Sequence, residues 1–333
     1  MKRLIVLSGL ILFFTFSLKD ISFAQDTISP PNPGGITKVY ISMVINNIIK
    51  VDAARQTITA DVVLTARWND PRLKHNAPSN IIVTEDKIWD PFLTFSNRLN
   101  LSKSFPDNYT IKNDGTVLYL QRIYGDFTQR FLLEDFPFDE QNFNIRIIDI
   151  TLNPNEVILE PDSLLQSGIS NNLELSDWTI NSWSFENSPY VIMNGQPETS
   201  SLRFSINAKR ESGYYLLIFM IPLILIIMMS LMAFWLPSNL SASQITVGTT
   251  SMLTLIAYRF IVTSELPKIS YMTRMDVFIL GSSILIFLTL LESVLTSTLA
   301  NKGQIELAQK IDTKCRWIFP VLYVMIALYA LIF

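Results

Sequence analysis

Residues 214–236 read YYLLIFMIPLILIIMMSLMAFWL, 23 positions without a charge. A bilayer hydrocarbon core of ~30 Å is crossed by about 20 helical residues. The stretch therefore predicts a membrane-spanning helix over about 213–236, and it divides the chain. Downstream, Met275–Ala300 and Trp317–Phe333 predict two more spans, with helices expected near 273–300 and 312–333; the last apolar run has only 17 residues. Upstream, from Gln25 to Ser212, no apolar run is long enough to cross.

A fourth span, expected over 239–264, differs from the others in its Ser and Thr content. Ala242, Thr246, Thr250, Leu253, Ala257, Phe260 and Ser264 follow one another in six steps over 22 residues, 3.67 per turn, close to the helical period. One narrow face therefore carries hydroxyls at one end and large apolar groups further along. Such a face suits water better than lipid. The competing reading is a helix whose hydroxyls bond back to their own backbone.

The whole chain has 333 residues, 49% apolar and 17% charged, with mean hydropathy +0.30. That is too apolar for one soluble domain, too polar for a chain wholly in membrane, and unlike a disordered one. The average conceals two halves. Residues 25–212 hold 16 Lys and Arg against 23 Asp and Glu, a net −7; residues 213–333 hold 7 against 5, a net +2. The overall charge of −3 offers no basic field for nucleic acid. His75 and Cys315 are the only residues of their types, which excludes an intrachain disulfide and leaves almost no material for a Cys/His metal centre or a Cys–His nucleophile pair. No phosphate loop, dinucleotide fingerprint, nucleophile elbow or HExxH is present, so neither an enzyme nor a cofactor is expected.

Residues 1–24 read as a secretory signal: Lys2-Arg3, an apolar core to about Leu18, and small residues at Ser22 and Ala24. With that leader removed, 25–212 lies outside. Four crossings then put the linker 301–316 inside, where Lys302, Lys310, Lys314 and Arg316 agree with the positive-inside rule. The outer half alternates in short runs, among them Thr57–Val62, Thr116–Leu120 and Asn142–Ile147, separated by turn clusters such as Lys112-Asn113-Asp114-Gly115. That pattern predicts an all-β, immunoglobulin-like sandwich. The expected architecture is this outer sandwich followed by a four-helix transmembrane bundle.

Several motifs now coincide. Phe136-Pro137-Phe138-Asp139-Glu140-Gln141 resembles the FPFDxQ signature of pentameric ligand-gated ion channels, the Cys-loop receptor superfamily. Trp68-Asn69-Asp70-Pro71-Arg72-Leu73 is similar to its WxDxRL pattern, and Trp89-Asp90-Pro91 to the start of WxPD, with Phe92 where an acid is usual. Asp177-Trp178 through Trp183, Arg210 before the first span, Pro222 within it and Leu266-Pro267 after the second fall in the family's order. The bracketing cysteines are replaced by Gln129 and Phe143, and the linker between the last two spans is short. Both features resemble the bacterial branch, which implies a periplasmic outer domain and an inner-membrane location.

The resemblance implies a homopentamer in the lipid membrane, opened by a small-molecule agonist or by protons, that passes inorganic ions. The second span would line the pore through Ala242, Thr246, Thr250, Leu253, Ala257, Phe260 and Ser264, with Leu253 at the gate and Glu265 at the outer mouth. An agonist site between subunits would take Phe92, Ser96, Ile150 and Tyr190 from one side and Val63, Thr65, Tyr119 and Arg122 from the other. Coupling would run through Asp52, Phe136, Pro137, Phe138, Asp139, Arg210 and Pro267, with Arg210 paired to Asp52 or Asp139. The inner mouth, Ser241-Ala242-Ser243-Gln244, carries no charge. The acidic outer domain and Glu265 favour cations. An anion channel of the same family and a non-conducting anchored receptor are the alternatives. Arg259 is expected to face neighbouring helices. Glu292 is expected near the inner helix end, facing water or a basic residue.

Overall fold

The computed structural model describes residues 29–150, 156–173, 175–237, 241–265 and 269–332. The leader expected at 1–24 lies outside them. Alternating apolar and polar positions build twelve strands among the described residues: β1 (Thr37–Asp52), β2 (Thr57–Asn69), β3 (Ile81–Thr84), β4 (Leu93–Phe95), β5 (Arg98–Lys103), β6 (Asn108–Ile111), β7 (Thr116–Thr128), β8 (Glu140–Asp149), β9 (Val157–Pro161), β10 (Gly168–Ile169), β11 (Trp178–Asn187) and β12 (Ser201–Arg210). One sheet runs β10-β1-β2-β7-β6-β3, with β5 on β7 and β9 on β1; the other runs β11-β12-β8-β4. Phe95 of β4 and Phe127 of β7 meet edge to face 5.4 Å apart, closing the core between the sheets. The Trp68 motif is a packing device. Trp68 is buried edge-on against Trp89 and Tyr109, at 5.8 and 5.9 Å. Asp70 caps the turn Pro71–Leu73, accepting from the Arg72 N–H at 3.0 Å and from its guanidinium at 2.8 Å.

The return from β9 is tied to β2 by a two-pronged ion pair. Arg67 Nε and Nη2 donate to Asp162 at 2.8 and 2.9 Å, and the N–H groups of Leu164 and Leu165 donate to the same carboxylate. Burial alone would raise the Asp162 carboxyl, but the guanidinium and the two amides outweigh it and hold it below the usual range.

Four helices follow: α1 (Gly213–Trp235), α2 (Ser241–Glu265), α3 (Arg274–Asn301) and α4 (Ile305–Ile332), each containing a window long and apolar enough to cross a membrane. Pro222 has no N–H for the carbonyl of Ile218, and the helix widens into a π-turn over Leu216–Met220 just before it. Small residues let the helices approach: a Cβ on Gly248 would lie 2.9 Å from Leu290 of α3, and one on Gly281 would lie 2.6 Å from Ile326 of α4. The last helix starts at Ile305, seven residues before the expected start at 312. Residues 305–316 are polar but amphipathic, with Ala308 and Asp312 buried against the bundle and Glu306, Lys310 and Lys314 exposed, so the connection after α3 shrinks to 302–304. Counting uncharged positions registers hydrophobic thickness and misses a helix that continues into water.

Asp162→Asn should lower unfolding stability by about 1.5–3 kcal/mol, the range for hydrogen bonds to charged groups. Because the folded carboxyl titrates below its unfolded value, its contribution is full above the ordinary carboxylate pKa and is lost as pH falls through the folded one. Thermal unfolding of the full chain across acidic pH should show that loss in the parent and a flatter profile in the variant.

Candidate functional site

Strand register gathers the first group of expected binding residues at one end of the four-stranded sheet. Leu93 pairs with Asp149 and Ser201 with Ile148, so Phe92, Ile150 and the Tyr190–Thr199 bridge all extend beyond the same end. Phe92 sits at φ +45° and is exposed. Ile150 is 46% exposed. The Ser96 N–H donates to the carbonyl of Arg146 at 3.0 Å, and Tyr190 exchanges backbone bonds of 3.2 and 2.8 Å with Thr199. The second group lies on the other sheet. Val63 stands opposite Arg122 and Thr65 opposite Leu120, on the face away from the core, where Arg122 forks onto Asp61 with its shortest contact at 2.6 Å.

Tyr119 does not join that group. Its strand neighbours Leu118 and Leu120 are directed outward, so by alternation the Tyr119 ring points inward; it is 8% exposed. It stacks on Tyr109 at 5.0 Å and donates to Asp107 at 2.6 Å, which makes it a core residue. The period of two in Val117, Tyr119, Gln121 and Ile123, all buried, carries that information. Two basic residues at the first group escaped sequence reasoning: Arg146, whose guanidinium lies 4.8 Å from the Tyr190 ring, and Arg203 opposite it on β12.

At the junction, Arg210 pairs with Asp139 and not with Asp52. Its Nε and Nη2 donate to the two Asp139 oxygens at 2.7 and 3.0 Å, both side chains almost wholly buried, and its backbone N–H donates to the Asp139 carbonyl at 3.1 Å. The guanidinium is surrounded by the rings of Trp178, Phe136 and Tyr215, at 4.2, 4.9 and 5.6 Å. Gln141 closes the group, donating to Asp139 at 2.6 Å. Asp52 instead receives Lys50 at 2.7 Å and the Arg55 N–H at 2.9 Å, and the Lys50 bond holds its carboxyl below the usual range. The Phe136-Pro137 bond is cis, and Phe136 meets Tyr215 of α1 at 4.9 Å; Pro137 and Phe138 line a small cleft with Met275 and Phe278 of α3. Tyr271 and Arg274 complete the contact: Tyr271 Oη accepts from the Leu133 N–H at 3.0 Å, and Arg274 pairs with Asp135 at 2.6 Å. Pro267 lies outside the described residues.

Along α2 the buried positions are Gln244, Gly248, Ser251, Leu255, Tyr258 and Val262. The expected stripe lies on the opposite side. Ala242, Thr246, Thr250, Leu253, Ala257 and Phe260 are all exposed, Leu253 at 69% and Phe260 at 74%. The side chains of Ser264 and Glu265 lie outside the described residues. Arg259 is exposed but about 100° round the helix from Phe260, on the flank of the stripe. Hydroxyls do bond back: Thr246 donates to the Ala242 carbonyl at 2.7 Å and Thr254 to that of Thr250 at 2.8 Å. Back-bonding and an outward stripe are thus compatible, because the donated proton leaves the oxygen lone pairs free. Glu292 departs from expectation: it is 8% exposed and packed beside Asp312 and Cys315, away from water and from any basic residue within ion-pair distance among the described residues.

Residues 22–212 match the neurotransmitter-gated ion-channel ligand binding domain, and residues 219–306 match the neurotransmitter-gated ion-channel transmembrane region. The chain belongs to this family of ligand-gated channels, which are not enzymes. A curated relative, the gamma-aminobutyric acid receptor subunit beta-4 of Gallus gallus, is 30% identical over 278 residues, covering 80% of this chain and 56% of its own length. The chain thus spans little more than half of that relative. With four apolar helices after the binding domain, it is a multi-pass membrane protein whose N-terminal domain is extracellular.

Truncating Arg210 to Ala should cost about 3–5 kcal/mol, since it leaves Asp139 buried and uncompensated. The double variant Arg210→Ala/Asp139→Ala should recover part of that loss. A thermal-unfolding cycle on the full chain measures the coupling, and additive losses would remove the pair's role.

Proposed function

We propose that five copies of this chain form a ligand-gated ion channel, with α2 of each copy lining the pore and an agonist bound between neighbouring outer domains. The observation that carries this reading is the outward stripe of α2, set opposite the face packed on the bundle. A single stripe cannot enclose water, whereas a ring of stripes does. Thr246 and Thr250 would offer oxygens to partly hydrated ions, and Leu253, Ala257 and Phe260 would form an apolar throat of the kind that gates by dewetting. The division of the binding residues supports the rest. Phe92, Ser96, Ile150 and Tyr190 sit on one sheet and Val63, Thr65 and Arg122 on the other, so two copies are needed to bring both groups to one cleft.

Coupling passes through the Phe136–Asp139 segment, Arg210, Tyr271 and Arg274 to the bundle. We assign cation selectivity: the outer domain carries −7, and the pore hydroxyls that donate to backbone present lone pairs inward. Glu265 at the outer end would add to that field. Anion selectivity is the second reading. The name of the chicken relative makes γ-aminobutyrate the first agonist to test, with protons as the other stimulus. The short connection after α3 and the expected leader fit an inner-membrane channel facing the periplasm.

Purified protein in planar bilayers should conduct when agonist or acid is applied to the outer-domain side. Silence under every condition would favour a binding receptor without a pore. Leu253→Ser should lower the agonist concentration for half-maximal opening or leave a standing leak; an unchanged threshold would remove Leu253 from the gate. In asymmetric salt the reversal potential should follow the cation gradient, and one that follows chloride would reverse the assignment.

A further inference from the structure

On the outer face of the four-stranded sheet, two arginines stand side by side with no acid between them. Arg203 of β12 and Arg146 of β8 are direct cross-strand partners, so their side chains share a face, an arrangement that costs stability when the charges are alike. Both guanidinium groups converge on one neutral acceptor, Ser188 Oγ: Arg146 Nη2 donates at 3.4 Å, and Arg203 Nη2 donates to the same oxygen. The Tyr190 ring lies 4.8 Å from the Arg146 guanidinium. Arg203 Nε is sealed from solvent and has no hydrogen-bond partner among the described residues. No carboxylate lies within ion-pair distance of either arginine among the described residues, although Glu186 is the cross-strand partner of Arg203 on its other side and is exposed. Burial and the neighbouring Arg203 both pull the Arg146 guanidinium below its ordinary value, as expected for two cations without a counter-ion.

We propose that Arg146 and Arg203 form a receptor for a carboxylate, so that the agonist of this chain is a small molecule with an anionic head held behind Tyr190. The proposal rests on the agonist cleft placed between outer domains above and names the chemistry that fills its inner end. Two planar guanidinium groups offer a fork of donors that fits two carboxylate oxygens. The orphaned Nε gains a partner, and the like-charge repulsion is relieved when the anion arrives. Tyr190 supplies an apolar cover that strengthens the charge-assisted bonds by excluding water. Ile150 at the same end gives an aliphatic stem a surface and offers no aromatic cage to an ammonium group.

The test uses the purified full chain and three probes: γ-aminobutyrate, butyrate and propylamine. Calorimetric titration should show binding of the two carboxylates and none of propylamine. Arg146→Gln and Arg203→Gln should each weaken carboxylate binding by about tenfold or more, while Arg203→Lys, which keeps the charge and loses the fork, should fall between. Without ligand, both Gln variants should remain assembled by size exclusion and melt no lower than the parent, because each removes a repulsion. Equal binding of propylamine, or carboxylate binding unchanged in both Gln variants, would overturn the proposal. So would Gln variants that dissociate or melt lower, since the pair would then be neutralised by an acid on a neighbouring subunit. The same samples in bilayers separate the two readings. Carboxylate binding without current leaves this site standing and removes the channel; current opened equally by propylamine in the Gln variants does the reverse.

Discussion

The Arg210–Asp139 pair is the constraint on which the two halves of the molecule depend. Arg210 ends β12 with two residues between it and α1, and Asp139 immediately precedes β8. Their two-pronged bond fixes where the sheet stops and the first helix starts. Two buried charges gain little net stability over a well-packed apolar pair, because desolvation offsets their attraction. What they impose is position. A guanidinium enclosed by Trp178, Phe136 and Tyr215 tolerates one arrangement of those rings, and Tyr215 belongs to the helix. Any movement of the sandwich relative to α1 must therefore carry this group with it or break it.

Around that point the contacts change in character. The Leu133–Tyr271 bond and the Arg274–Asp135 pair run from the sandwich to the segment before α3, and Asp135 is largely exposed. The exposed Arg274–Asp135 pair exchanges with water at low cost. One edge of the junction is thus pinned and the other loosely latched, the distribution expected where a rigid domain has to lean on a bundle and recover. In the proposed channel, a ligand between outer domains would act on it only by binding a second arrangement of the junction more tightly than this one.

Much of this was legible in the chain. The period of 3.67 identified the outward face of α2 from residues 242–264 alone, because a helix in lipid repeats its environment at every turn. The four spans and the β character of the outer half were legible for the same reason. Register was not. Whether Arg210 meets Asp52 or Asp139 depends on how β12 pairs with β8, and Arg146 and Arg203 become neighbours through the same pairing. Pairing between distant strands is a sum of many side-chain contacts and has no local signature. Strand parity does carry the burial of Tyr119, since Val117, Tyr119, Gln121 and Ile123 alternate with exposed or half-exposed neighbours. The start of α4 was missed because amphipathic turns carry no run of apolar residues.

That early start makes α4 a helix of 28 residues, roughly 42 Å at 1.5 Å per residue, against a hydrocarbon slab of ~30 Å. Of the four helices it is the least enclosed by its own bundle, with Trp317, Val321, Val324 and Tyr329 turned outward. Arg316, in the middle third of α4, donates to the α1 carbonyl of Phe234 at 2.9 Å, and Arg274 reaches the carbonyl of Leu331 in its last turn at 3.2 Å, so this outer helix is fastened to the core at two points along its length. A thinner or thicker membrane would change the tilt at which such a helix satisfies its apolar band. In the proposed channel, that tilt would reach α1 through Arg316 and the segment before α3 through Arg274.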